Sequence, residues 1–289
     1  MRTRVVSILI VLPFGLLFIC WPDSNGLFPG WLLSLLVLGI MAQALREFFD
    51  GCRTARLAPL DAAGYAGAVL FWLCSLPSLR TRPDLLSGGL ALLFAASFVW
   101  ETLRPERAPL RNLAPTWFGA LYLGTLFPSV VRLRCEAGEF ATQFGWVAPA
   151  PWMGTIGLGA CLVLFTLLIT SATDTGAYVA GKRFGRRKLA PALSPGKTWE
   201  GSIGGFVAAL LVGGLAGWWF GLPTPYVLVA SLLGGVVSQL GDLCKSAVKR
   251  EIGIKDFGTL LPGHGGLLDR FDSLMFTATL TYWLARAWG

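Results

Sequence analysis

The chain contains long, almost uncharged apolar stretches, and these restrict the folds open to it more than any other feature. Apolar residues make up 54% of the 289 residues, charged residues make up 14%, and the mean hydropathy is +0.63. A soluble domain carries about 25% charged residues, so this chain cannot cover a water-facing surface of ordinary size. The composition excludes a soluble globular enzyme and a disordered chain. It indicates an integral membrane protein.

The apolar stretches predict helices that cross a membrane. They are continuous and do not alternate at every second residue, which favours helices over a β-barrel. A bilayer core requires about 20 mostly apolar residues per helix. About nine stretches approach that length: residues 5–21, 31–48, 60–79, 85–100, 114–131, 151–173, 201–221, 226–241 and 271–288. We therefore predict an all-α, polytopic bundle of about nine transmembrane helices.

The first apolar stretch has two interpretations. Arg2 and Arg4 precede it, as in a cleaved signal peptide. The residues that follow, W-P-D-S-N-G, lack an A-x-A-like cleavage site. This absence favours a first span that is retained.

The basic residues predict the orientation of the bundle. With nine spans and a cytoplasmic N-terminus, 19 of the 24 Lys and Arg residues fall in cytoplasmic segments and five fall outside. Lys and Arg are enriched on the cytoplasmic side of membrane proteins. The formal net charge of +8 therefore does not indicate a nucleic-acid partner. The compact length favours a bacterial inner membrane, and the most basic loops are expected on its cytoplasmic side.

The polar segments divide the chain into two regions. Residues 1–150 carry apolar spans with short connections and read as a lipid-facing scaffold, whereas residues 151–289 contain both long polar loops and read as the catalytic region. The six cysteines form no C-x-x-C pair, and His264 is the single histidine. These counts exclude a multi-histidine metal site and give no sign of a disulfide framework.

The last polar segment places carboxylates and cations at the ends of two apolar stretches. Asp242, Lys245, Ser246 and Lys249 have the spacing of one helix face, and Asp269 and Asp272 are three residues apart. Two helices could therefore bring Asp242 and Asp269 together, with Lys249, Arg250 and Arg270 nearby. Magnesium is usually held by one or two carboxylates and by substrate phosphates. Simple pairing of these charges at a membrane interface is the alternative.

Two further segments are candidate phosphate sites. In Pro262–Gly266 the glycines permit a close backbone approach to an anion, and His264 could donate a hydrogen bond or act as acid or base, although an ordinary turn explains the motif too. Ser194-Pro195 predicts a helix start, with Lys197 and Thr198 in the first turn. A helix N-terminus suits a phosphate. Asp174 follows a long apolar stretch upstream.

The stretch from Ser246 to Asp272 resembles the signature of the phosphatidate cytidylyltransferases, or CDP-diacylglycerol synthases. It reads S-x-V-K-R-x-x-x-x-K-D-x-G-x-x-L-P-x-H-G-G-L-x-D-R-F-D and fixes well over ten positions. The blocks S-Q-x-G-D-L, D-T-x-A-Y and S-P-G-K-T-W-E-G are similar to that family too. Together these motifs cover about the last 120 residues. One position departs, because many members carry an acidic residue where this chain has Lys245.

The resemblance implies a Mg²⁺-dependent reaction of CTP with phosphatidate, in which CDP-diacylglycerol and pyrophosphate form. It implies Asp242 and Asp269 as metal ligands, a second cation being an open question, and homodimers. Weaker candidates for binding or supporting the metal are Asp174, Asp256 and Asp272. The implied phosphate contacts are Lys197, Lys249, Arg250, Lys255 and Arg270. Phosphoryl-type transfer is mostly positioning and charge neutralisation, which agrees with a chain that has one histidine.

Two other classes of protein are alternatives to this one. The first is another membrane transferase, either a CTP-dependent lipid-alcohol kinase or a CDP-alcohol phosphotransferase. The phosphotransferase needs D-G-x-x-A-R and two spaced aspartates, which the chain lacks. A transporter of anions would carry inverted repeats and broken helices in both halves. The charged motifs here lie in the C-terminal half, which favours the transferase.

Replacing Asp269 with Asn should abolish turnover in protein that still folds and inserts into the membrane. The substitution keeps the size of the side chain but removes the negative charge that a metal ligand needs. Pyrophosphate release by the purified variant checks this, with detergent-phase gel filtration as the control for folding. Near-normal activity would contradict the metal role.

Overall fold

The computed structural model describes residues 15–21, 28–79, 83–104, 108–144, 157–258 and 265–288. It is 79% helical, which confirms the prediction of a helical chain. Within the described residues ten helices and one small hairpin follow a short helical turn at residues 15–19. Their bounds are α1 Trp31–Thr54, α2 Asp61–Leu73, α3 Pro83–Leu103, α4 Pro109–Leu126, α5 Pro128–Cys135, α6 Ala137–Phe144, α7 Leu158–Phe184, β1 Lys188–Ala190, β2 Ser194–Thr198, α8 Trp199–Trp219, α9 Thr224–Glu251 and α10 Leu268–Ala287.

Five helices in the described part of the chain are long and apolar enough to cross a membrane: α1, α3, α7, α8 and α9. Large apolar side chains face outward on them, among them Leu92 and Trp100 on α3 and Leu211 and Trp218 on α8. An outward apolar surface of this kind suits hydrocarbon and not water. The protein is therefore a helical membrane protein.

The predicted number of nine spans is not confirmed. The stretch 60–79 contains α2, which has 13 residues and is too short for a bilayer of about 30 Å at 1.5 Å per residue. The stretch 114–131 is divided between α4 and α5, because a new helix begins at Pro128. The stretch 5–21 lies mostly outside the described residues. The cytoplasmic N-terminus also stays a prediction.

The predicted helix start at Ser194 is wrong. Ser194 pairs with Ala190 in an antiparallel hairpin, and α8 begins at Trp199. Thr198 is the N-cap, and its side chain accepts a hydrogen bond from the Gly201 amide at 3.1 Å. Pro195 favours an extended residue before it as readily as a helix after it. The hydrogen bonds between β2 and β1 stabilise the extended conformation at Ser194.

Helices α7 and α8 pack closely through small residues. A β-carbon at Gly205 would lie 2.7 Å from the main-chain oxygen of Thr173, and one at Gly201 would lie 2.8 Å from that of Ala177. Glycine therefore permits the close approach of the two backbones. This packing holds Asp174 on α7 beside the hairpin that leads into α8.

Replacing Gly205 with Ala should lower the free energy of unfolding by about 2 kcal/mol, because the added methyl group forces the two helices apart. The matched control is Gly214→Ala on the same helix, where a β-carbon has nothing within 4 Å. Thermal unfolding in one detergent compares the two variants with the parent. Equal melting temperatures for both variants would contradict the packing argument.

Candidate active site

The predicted polar face of α9 is confirmed and packs against the start of α10. Lys245, Ser246 and Lys249 are buried on that face. The Lys245 ammonium lies 3.1 Å from Asp242 Oδ1, 3.7 Å from Asp269 Oδ1 and in direct contact with Asp272 Oδ2. Three aspartates from two helices therefore converge on one lysine, which is a closer arrangement than the sequence predicted.

Asp242 is the most accessible member of the trio. Its side chain is 32% exposed, whereas those of Asp269 and Asp272 are 6% exposed. Asp242 Oδ2 also forms an ion pair of 2.6 Å with Lys197 of β2. A ligand that arrives from solution can therefore reach Asp242 more easily than the two deeper carboxylates.

Asp269 is held by groups on three sides. Its Oδ1 accepts a hydrogen bond of 2.8 Å from Lys249, and its Oδ2 accepts bonds from the amides of Phe257 at 2.9 Å and Gly266 at 3.3 Å. Burial acts to raise the pKa of this carboxyl, but the hydrogen bonds from Lys249 and Phe257 outweigh it and hold that pKa below its ordinary value. Asp269 therefore stays ionised.

The β1–β2 hairpin is attached to α9 by two basic side chains. Lys197 donates to the main-chain oxygen of Gln239 at 3.4 Å, in addition to its ion pair with Asp242. Arg250 donates to the main-chain oxygens of Leu193 at 3.3 Å and Ile254 at 3.5 Å. The hairpin thus forms one wall of the site and brings Lys197 to the carboxylates.

The remaining predicted site residues lie at different distances from this cluster. Asp174 is exposed on α7 and interacts electrostatically with Asp242, Lys197 and Lys245, so it borders the cluster. Asp256 is exposed and lies near Gly265. Ser194 pairs with Ala190 in the hairpin. Lys255 and Arg270 are exposed. Thr198 is buried at the N-cap of α8, and its hydroxyl already accepts a hydrogen bond from the Gly201 amide. His264 lies outside the described residues.

The sequence is similar to proteins of one family over nearly its whole length. The family model described as "Cytidylyltransferase family" matches residues 2–288. The chain belongs to the cytidylyltransferase family. It is 34% identical over 265 residues to a phosphatidate cytidylyltransferase of Synechocystis, with 88% of each chain covered. It is also 34% identical over 251 residues to a phosphatidate cytidylyltransferase of Bacillus subtilis, with 85% of this chain and 86% of that protein covered.

This cytidylyltransferase has two site-forming residues that the sequence reasoning missed. Glu47 of α1 is buried, and its carboxylate accepts hydrogen bonds from the amides of Leu267 and Leu268, each at 2.9 Å. Tyr122 of α4 has a buried hydroxyl without a hydrogen-bond partner among the described residues, and it lies near Asp272, Asp242 and Asp269. Glu47 is an ionisable residue within the apolar stretch 31–48, and this position is the signal by which the sequence could have indicated it. The sequence carried no signal for Tyr122.

Glu47 caps the N-terminus of α10 from a distant position in the sequence. Leu267 stands at the N-cap position and offers no side-chain acceptor, so a carboxylate from a distant helix supplies one. The approach is close, because a β-carbon at Gly266 would collide with Glu47 Oε2 and one at Gly258 would lie 2.9 Å from Oε1. These contacts explain two glycines of the signature. They also fix the first turn of α10, which carries Asp269.

Replacing Glu47 with Ala should lower the free energy of unfolding by about 3 kcal/mol, because two buried amides lose a charged acceptor. Turnover should fall as well, since Asp269 loses its support. Hydrogen exchange of the peptide that contains Leu267 and Leu268 should accelerate. The control is Asp50→Ala on the same helix, which removes exposed ion pairs with Arg46 and Arg53 that contribute little. Unchanged exchange in the Glu47 variant would contradict the capping role.

Proposed function

We propose that this cytidylyltransferase condenses CTP with phosphatidate to form CDP-diacylglycerol and pyrophosphate, a step of phospholipid biosynthesis. The observation that carries the proposal is the family match over nearly the whole chain, together with relatives named phosphatidate cytidylyltransferase. The signature residues of that resemblance meet in one cluster at the junction of α9 and α10. Cations and carboxylates of this kind suit a reaction between two phosphate compounds.

The proposed reaction requires that the two substrates are positioned and that their negative charges are neutralised. An oxygen of the phosphatidate phosphate attacks the α-phosphorus of CTP, a new P–O bond forms, and the bond to the β-phosphate breaks as pyrophosphate leaves with the electron pair. The attacking oxygen is already ionised, so no strong general base is required. Repulsion between two polyanions is the main obstacle, and fixed cations reduce it. The proposed phosphate contacts are Lys197, Lys249, Arg250, Lys255 and Arg270, with Ser194, Thr198 and His264 as further candidates for the nucleotide.

The residues present fit a magnesium ion at the accessible edge of the cluster. In the described part of the chain no three Asp, Glu, Cys or His side chains are arranged to hold a metal by themselves. One or two carboxylates with substrate phosphates are the usual ligands of Mg²⁺, however. Asp242, which is partly exposed, and Asp269 would hold the ion, with Asp174 as a weaker candidate. The ion would neutralise charge on the triphosphate. Asp269 and Asp272 are deeper and contact lysines, and Asp256 lies at the rim.

We place the protein in a bacterial inner membrane with about nine spans, a cytoplasmic N-terminus and the site on the cytoplasmic side. The unequal distribution of Lys and Arg supports this orientation, and CTP is cytoplasmic. Residues 1–150 would form the scaffold and residues 151–289 the catalytic region, with Glu47 as a contribution from the scaffold. A homodimer follows from the family resemblance.

Detergent-purified protein supplied with phosphatidate and CTP should release pyrophosphate when Mg²⁺ is present and should stop when EDTA is added. ATP, GTP and UTP in place of CTP should give little release, and omission of the lipid should give none. Asp269→Asn protein serves as the control for contaminating enzymes. Absence of release from folded protein under every condition would contradict the proposed function. Release with lipid alcohol and CTP, but without phosphatidate, would indicate a kinase instead.

A further inference from the structure

Lys245 is surrounded by oxygen atoms of the kinds that bind metal ions. Within the described residues its ammonium lies within 4 Å of four oxygens from three aspartates. They are Asp242 Oδ1 at 3.1 Å, Asp269 Oδ1 at 3.7 Å, the main-chain oxygen of Asp269 at 3.2 Å, and Asp272 Oδ2. Hard oxygen ligands from carboxylates and carbonyls are the donors that bind Mg²⁺ and Ca²⁺. Here they surround a compact cation that belongs to the chain itself.

Burial makes this cation necessary. The side chains of Lys245, Asp269 and Asp272 are each 6% exposed, so water does little to stabilise their charges. Asp272 Oδ2 has no hydrogen-bond partner of good geometry among the described residues, which leaves the contact with Lys245 as its compensation. A buried charge that loses its partner destabilises a protein strongly. Without Lys245, the three carboxylates would need another cation or a proton.

The other lysines do not replace it. Lys197 forms its ion pair with the outer oxygen of Asp242, and Lys249 forms its hydrogen bond with Asp269. Neither makes a described contact with Asp272, whereas Lys245 touches all three aspartates. Lys245 therefore occupies the centre of the cluster, and its neighbours lie at the edge.

We propose that the Lys245 ammonium stands in the place of a divalent cation between Asp242, Asp269 and Asp272. The site then binds one metal ion fewer than these three carboxylates would otherwise hold. The inference rests on the proposed function, because it concerns the cations that the cytidylyl transfer uses. It assigns a role to the position at which this chain departs from many of its relatives. The remaining Mg²⁺ would be the exchangeable ion that arrives at Asp242 with CTP.

Metal counting in the absence of substrates tests the proposal. Lys245→Met keeps the unbranched apolar stem, one atom shorter, and removes the charge, so this variant should bind about one more Mn²⁺ per chain than the parent. Electron paramagnetic resonance of Mn²⁺ titrated into detergent-purified protein measures this number. The melting temperature of the variant should rise by roughly 5 °C when millimolar Mg²⁺ replaces EDTA, because the ion binds the folded state.

Two control variants isolate the position from the loss of a charge. Lys245→Arg keeps a cation at the centre and should bind no additional Mn²⁺. Lys182→Met removes an exposed lysine near the end of α7 that takes part in none of the described carboxylate contacts, and it should also match the parent. Equal Mn²⁺ numbers for Lys245→Met and the parent would overturn the proposal. So would an additional Mn²⁺ in the Lys182 variant.

Lys245→Met protein that folds only when Mn²⁺ or Mg²⁺ is present supports the same conclusion. If it folds under neither condition, the double variant Lys245→Met/Asp272→Asn decides the matter, because it removes a negative charge together with the positive one. Folding of the double variant in EDTA supports charge compensation at the centre, and failure to fold overturns it. None of these measurements uses CTP or lipid. Absence of turnover in the parent would therefore overturn the proposed function and leave the metal count readable.

Discussion

The contact of Lys245 with three aspartates holds α9 and α10 together, and the rest of the site depends on it. The two helices meet through charged side chains at one end, where an apolar interface would be expected in a membrane protein. Such charges are costly unless each has a partner. The cluster satisfies that condition with lysines from α9 and from the hairpin. A site for two polyanionic substrates can therefore exist beside the hydrocarbon core.

A second interaction joins the two halves of the chain. Glu47 lies in the region that the sequence marks as scaffold, yet its carboxylate accepts hydrogen bonds from the first amides of α10. The negative charge at a helix N-terminus also opposes the helix dipole favourably. Gly258 and Gly266, two glycines of the signature, are thus explained by the close approach of this carboxylate. The N-terminal half therefore helps to position the candidate site residues at the start of α10.

The hairpin shows how one local pattern can be read in two ways. Ser-Pro begins helices, and it also follows the rules of an extended segment before proline. Thr198, four residues later, is an equally good N-cap, and the structure uses it. The consequence for the site is large, because Lys197 projects from a strand and reaches Asp242 by an ion pair. A helix starting at Ser194 would have offered backbone amides to phosphate instead.

The sequence by itself determined the class of the protein, the polar face of α9 and the family. Composition and periodicity are local properties, so spacings such as that from Asp242 to Lys249 predicted a shared face correctly. The motif from Ser246 to Asp272 carried the family because it fixes many positions. Tertiary structure alone decided that Lys245 lies at the centre of the carboxylates, that Glu47 caps α10, and that Tyr122 borders the cluster. These contacts join residues up to 221 positions apart, and only the packing of helices brings such residues together.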